Sequence, residues 1–289
     1  MDAAAHLYVR LCEEVFVDEA GKPVKNPTIT LDEKRTTQDD PFDHWLANTI
    51  KRLNLSGLQV FTSGPLTHPD IVLQTSMVPE SPFVGLEVKK LNADEKGRDP
   101  RGMTIDFNST APCGTFRVYR PDDTPLDIPG YYIFVLLDHR IRSRSRNILT
   151  FILSDGDLLN DDFDLYLTSK TLNESTYDHG PYGEGSVRGR MMYVYPNPLD
   201  SKINQLAGEV PLIHEAGDLH RIFPELRLLY RALRRKRDGT TREFFIYRHK
   251  NFVTNSVLAP LALELFARAR HRSAKKRSAY KFVLPTGTL

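Results

Sequence analysis

The sequence predicts an α/β fold, and three observations carry that expectation. A helical pattern opening at Pro41 is followed by three short apolar runs rich in β-formers and bounded by Pro, Ser, Gly and Glu. Two further runs, Tyr131–Leu137 and Ile148–Leu153, are apolar at almost every position, as strands covered on both faces of a sheet are. With 289 residues, 40% apolar and 15 of them Phe, the chain can also bury a sizeable core.

Taken in order, an apolar segment around Leu7–Phe16 can form a helix, and GKPVKNPT reads as turns. Asp40 can cap a helix whose first position is Pro41, with Phe42, Trp45, Leu46, Thr49, Ile50 and Leu53 at helical spacing and Gly57 soon after. The candidate strands that follow are Leu58–Phe61, Asp70–Leu73 and Phe83–Lys89. Between Tyr131–Leu137 and Ile148–Leu153 lies DHRIRSRSRN, in which Arg140, Arg142, Arg144 and Arg146 recur at every second position. In an extended loop they line one face, an arrangement suited to phosphates or guanine edges and equally to plain solvation.

Residues 154–200, rich in Asp, Gly, Asn and Pro, read as loops. Within them HGPYGEGSVRGR lacks the strand-to-helix frame of a nucleotide cradle and reads as a loop that closes on a ligand. Pro224 can open a helix with Leu226, Leu229, Tyr230 and Leu233 on one face, running into Arg234, Arg235, Lys236 and Arg237, where cations suit the helix dipole. A strand Glu243–Tyr247 and a helix from about Ser256 to Ala269 complete the pattern.

The net charge of +2 hides an asymmetry. Residues 221–289 hold 17 Lys and Arg against four acids, Glu225, Asp238, Glu243 and Glu264, so the acidic excess lies in the first 220 residues. A segregated basic region is the footprint of a protein that engages phosphates, although a solvated face has the same composition. Cys12 and Cys113 are too few for a disulfide framework. No apolar run of membrane-spanning length and no signal peptide is apparent, so a cytoplasmic protein without a membrane partner is expected. The His and Cys spacings make no zinc site, and the Ser-Gly pairs lack a nucleophile-elbow context.

The densest chemistry lies in HPDIVLQTSMVPESPFVGLEVKKL, residues 68–91. Two adjacent strands bring Asp70 and Glu87 side by side, and converging carboxylates bind a hard cation such as Mg2+ through oxygen. Alternation puts Lys89 on the face of Glu87 and turns Val88 into the core. His68, just before Pro69-Asp70, can approach a bound phosphate, although such a His is more often a satisfied surface or core side chain.

This arrangement resembles the PD-(D/E)xK signature of type II restriction endonucleases, and a helix followed by three strands is the order at the start of their core. The likeness continues into DFNSTAPCGTFRVY, which is similar to a block of some restriction enzymes in which EVKK is followed by Asn-Ser-Ser/Thr. It runs through about residues 40–155 and is densest over 68–119. The resemblance implies one domain over residues 1–289: a central mixed sheet flanked by helices, catalytic at about 40–155, with an added basic, helical C-terminal part at about 220–289 that grips DNA.

It further implies catalytic Asp70, Glu87 and Lys89, and one or two Mg2+ held by Asp70, Glu87 and the backbone carbonyl of Val88. Asp43 is offered as an outer or third metal carboxylate, with Asp39 and Asp40 equally available and an N-cap the simpler role for Asp40. Lys90, Asn108, Ser109, Thr110, Arg142, Arg144, Arg234, Arg235, Lys236 and Arg237 are the expected DNA contacts, with turn chemistry the plain alternative for Asn108–Thr110. The activity implied is site-specific hydrolysis of double-stranded DNA to 5′-phosphates by a homodimer, paired with a cognate DNA methyltransferase. A repair or junction-type nuclease on the same core, or a non-catalytic DNA-binding protein, are the rival readings.

Overall fold

Alternation along the longest strands sorts the apolar side chains onto two faces of one wide sheet. The protein is described by a computed structural model over residues 2–33, 40–53, 55, 57–62, 67–75, 83–98, 104–108, 114–158, 192–196, 210–236, 240–252, 268–269 and 284. Its elements begin with α1 (Ala3–Val15), β1 (Thr28–Thr30), α2 (Pro41–Arg52), β2 (Gln59–Thr62), β3 (Ile71–Gln74) and β4 (Phe83–Asn92). There follow β5 (Thr104–Asn108), β6 (Thr115–Tyr119), β7 (Pro125–Leu137), β8 (Ser145–Asp155), β9 (Met192–Pro196) and β10 (Leu212–His214). A one-turn helix α3 (Leu219–Ile222), β11 (Leu226–Lys236), β12 (Thr241–His249) and β13 (Arg268–Ala269) close the order.

The main sheet runs β13-β11-β12-β10-β8-β7-β4-β3-β2, with β1 beside β8 and β6 beside the first half of β7. It is mixed: β4 and β7 are parallel, as are β8 and β10, while β2, β3 and β4 form an antiparallel meander. Strands β5 and β9 pair apart from it.

Along β7, Tyr131, Ile133, Val135 and Leu137 join Ile71, Leu73, Val84, Leu86 and Val88 on one face, where α1 and α2 pack. Tyr132, Phe134 and Leu136 join Val72, Phe83, Leu91, Phe116 and Val118 on the other. Both long helices lie on the first face, so the sheet is flanked by described helices on one side only. α2 begins as its sequence dictates: the Asp40 side chain accepts from the Phe42 N–H at 3.0 Å, and Pro41, which has no N–H to lose, takes the first position.

α1 is pinned to distant chain. The Tyr8 hydroxyl donates to the Val210 carbonyl at 2.5 Å and accepts from the His249 N–H at 3.2 Å, while Asp2 lies 3.1 Å from His214 Nε2. Among the described residues no helix is long and apolar enough to cross a membrane.

One expectation is overturned. Residues 226–236 are a strand and not a helix, paired along their length with β12 and interrupted by a register shift between Leu228 and Tyr230. Leu226, Leu229, Tyr230 and Leu233 satisfy a helical period, but in the strand Leu226 and Leu228 pack on the helix-covered face, Leu229 and Tyr230 on the other, and Leu233 is exposed, so the ladder to β12 decides. The helix-dipole explanation for Arg234, Arg235 and Lys236 falls with it. The expected helix from Ser256 lies outside the described residues except for its end, where Arg268 and Ala269 form β13.

Candidate metal-binding active site

Register brings the acidic pair together. β3 and β4 are antiparallel with Ile71 opposite Leu86, and one residue further Asp70 faces Glu87. Asp70 is then held by the strand itself, because the Val88 N–H donates to its Oδ2 at 2.7 Å. Two residues along the same face, Lys89 Nζ donates to Glu87 Oε1 at 2.6 Å. Val88 turns to the helix side and is buried there, as alternation requires.

The helix side supplies a third acid. Lys90 projects toward α2, and its ammonium lies 2.6 Å from Asp40 Oδ2, tying the helix N-terminus to β4. One turn on, Asp43 is close enough for its charge to act on both Asp70 and Glu87. Burial pushes Asp43 up to about 8, with Asp40 and then Glu87 adding repulsion against the pull of Lys90 and Lys89. Burial likewise raises Asp70 well above the carboxylate range, with Glu87 and Asp43 reinforcing it. For Glu87 burial works upward too, but His68 and Lys89 hold it down at about 2. Lys89 is kept above its ordinary value because Glu87 and Asp70 outweigh the burial that opposes its charge.

This donor set fits a hard divalent cation. Asp43 and Asp70 are driven toward the neutral form, first by burial and then by the neighbouring carboxylates. His68 Nδ1 stands 2.7 Å from Glu87 Oε2, yet that buried oxygen has no aligned hydrogen-bond donor. Each carboxylate oxygen also keeps acceptor capacity beyond its contact here. Oxygen ligands of this kind suit Mg2+.

The expected DNA contacts are dispersed. Arg140 and Arg146 both turn onto Asp138, Arg146 at 2.8 Å and buried, while Arg144 donates to the Leu31 carbonyl at 3.0 Å and lies 3.6 Å from Glu33. The four arginines therefore do not share one face: the loop closes as a turn, Ser143 N–H to Arg140 carbonyl at 2.8 Å, and Asp138 captures its two ends. Arg142 is exposed at its tip. Asn108 lies in β5 and Arg234, Arg235 and Lys236 in β11; Ser109, Thr110, Arg237 and Asp39 fall outside the described residues.

A second acidic group was not visible in sequence spacing. Asp155, Asp157 and Glu215 bring carboxylate oxygens within 4.8 Å of one another, near enough for a metal ion. Burial, then Glu215 and Asp157, raise Asp155 to about 7. Arg242, however, places its guanidinium on Asp157 at 2.5 Å and on Glu215, and the Gly114 N–H donates to Asp157 at 2.8 Å. A fixed cation already answers two of the three acids, so this group reads as a structural network joining β8, β10 and β12.

No protein-family model and no curated protein matches the chain. Among solved structures it is similar to the restriction endonuclease BglI bound to its DNA recognition sequence, at 11% identity and a TM-score of 0.26, over 60% of this chain and 75% of that one. A superposition so loose leaves the functional reading to the site.

Proposed function

We propose that this protein is a Mg2+-dependent, site-specific endonuclease of double-stranded DNA, of the type II restriction kind, with Asp70, Glu87 and Lys89 as its catalytic residues. The observation that carries the reading is the convergence of Asp70, Glu87 and Lys89 on one sheet face, with Asp43 acting from α2.

Asp70, Glu87 and the Val88 carbonyl would hold the metal, one ion or two, with Asp43 as a further carboxylate. Val88 supports this by geometry: the N–H and C=O of a strand residue point to the same side, and its N–H points at Asp70. Bound Mg2+ polarises a phosphodiester and lowers the pKa of a coordinated water. Lys89, held charged between two acids, would orient that water and offset the charge developing on the phosphate. The products would be 5′-phosphates. Arg142, Arg144, Lys90, Asn108, Ser109, Thr110 and the Arg234–Arg237 cluster are the proposed DNA contacts. A homodimer matched to a two-fold site, and a methyltransferase protecting host DNA, follow from that activity.

The test is supercoiled plasmid with purified protein and Mg2+, followed by sequencing of the fragment ends. Discrete fragments with one flanking sequence and 5′-phosphate ends are expected. No cleavage with any divalent metal would end the nuclease reading, and an unspecific smear would end the restriction part of it.

A further inference from the structure

Glu87 is gripped on two sides, and only one of them belongs to the chemistry above. Lys89 takes Oε1 by a hydrogen bond, and on the other side His68 Nδ1 lies 2.7 Å from Oε2, a close polar contact that is not aligned as a hydrogen bond. The imidazole is wedged in place. Its ring stands edge-on to Phe116, centroids 4.5 Å apart and planes at 76°. Phe116 is itself fully buried and stands edge-on to Tyr132 at 5.6 Å. It also fills the space above Gly85, where a Cβ would collide with its ring. The second ring nitrogen of His68, Nε2, is buried without a hydrogen-bond partner.

We infer that His68 is a positioning residue for the metal site: it holds Glu87 from the Oε2 side, so that Oε1 stays on Lys89 and the carboxylate keeps one orientation toward a bound ion. The inference rests on the nuclease reading above. A glutamate held at one oxygen still pivots about that contact through its side-chain torsions, and a second contact on a rigid ring removes this freedom before metal arrives. Direct ligation by His68 fits less well. It would bury an Nε2 proton with no acceptor, whereas ligating histidines almost always give their other N–H to a partner. It would also tilt the site from Mg2+ toward softer metals.

Three substitutions separate these roles. His68→Phe keeps a ring on Phe116 and removes both nitrogens; His68→Asn places an amide nitrogen near the position of Nδ1; His68→Gln places one nearer that of Nε2. Each is compared with wild type for Mn2+ affinity by electron paramagnetic resonance without DNA, plasmid cleavage rate in Mg2+, DNA affinity in Ca2+, and thermal midpoint as a check on folding. His68→Phe is expected to lose about tenfold or more in Mn2+ affinity and in rate, the loss typical of removing a ligand's support. DNA affinity should hold, and His68→Asn should recover most of both losses while His68→Gln recovers less. Unchanged Mn2+ affinity and rate in His68→Phe would overturn the inference. Equal impairment of all three variants would also overturn it, because the nitrogen position would then not matter. A wild type that neither binds Mn2+ nor cleaves DNA would remove the nuclease reading itself, and this inference with it.

Discussion

The backbone N–H of Val88 donates to Asp70 Oδ2 across 2.7 Å. The middle residue of the Glu-x-Lys triplet thus holds the aspartate that faces the triplet, and one strand fixes three functional groups. This is possible because β3 begins only at Ile71, leaving no described strand beside β4 from Glu87 onward on that side. The backbone there is free to meet a side chain instead of a ladder partner.

Replacement of any one of the three proposed catalytic groups should separate cleavage from binding. Asp70→Asn, Glu87→Gln and Lys89→Ala are each expected to slow plasmid cleavage by about two orders of magnitude or more. Gel-shift affinity in Ca2+ should survive. Robust cleavage by Glu87→Gln would remove the assignment.

Asp43 should make the metal-free protein sensitive to alkali. Its folded pKa of about 8 lies above the unfolded value of about 3.9, so its contribution to stability is full below that lower value and is lost as pH rises through 8. Asp43→Asn should therefore raise the thermal midpoint at pH 8 to 9, and the gain should vanish by about pH 4. Adding Mg2+ should narrow it. Parallel pH profiles of midpoint for wild type and variant would show that burial and the neighbouring acids do not hold Asp43 neutral.

Gly85 should tolerate no side chain. A Cβ there would collide with the Phe116 ring and meet Pro69 at 3.1 Å, with both neighbours packed. Gly85→Ala is expected to cost about 1–3 kcal/mol in denaturant unfolding, the range for an overpacked core. Phe116→Leu in the same background should recover part of that loss. A neutral Gly85→Ala would mean that Phe116 moves freely.

Changing Arg234, Arg235, Lys236 and Arg237 together to Gln should flatten the dependence of log affinity on log salt, by roughly 0.9 for each phosphate no longer neutralised. Fluorescence anisotropy over a salt series measures this directly. An unchanged slope would mean that the cluster makes no DNA contact.

Much of the candidate site's geometry was legible because it is written in strand alternation. Glu87 and Lys89 at i and i+2 must share a face, and Asp40-Pro41 is a helix start on any reading of the sequence. The strands through Tyr131–Leu137 and Ile148–Leu153 announced themselves by unbroken apolarity. β11 did not, since its apolar residues fit two periods and only the ladder to β12 chooses between them. Short strands such as β1 and β10 carry too few residues for a period to appear: β1 exists because β8 lies beside it, and β10 because it lies between β8 and β12. The capture of Arg140 and Arg146 by Asp138 was hidden by the regular spacing of the arginines, although the acid stands at the start of the same loop. His68 and Glu87 meet only through the β3–β4 register, which no local spacing displays.

The pinning of α1 has a consequence for how the molecule comes into being. Tyr8 waits for Val210 and His249, 202 and 241 residues later in the chain. On a ribosome the helix is therefore made well before the segments that pin it and is among the last elements to dock. Until β12 emerges, Leu7 and Leu11 have no finished surface to cover, and closing so long a loop is slow. Synthesis that stalls before His249 should leave α1 without this docking and β10 and β11 without the strand that pairs with both.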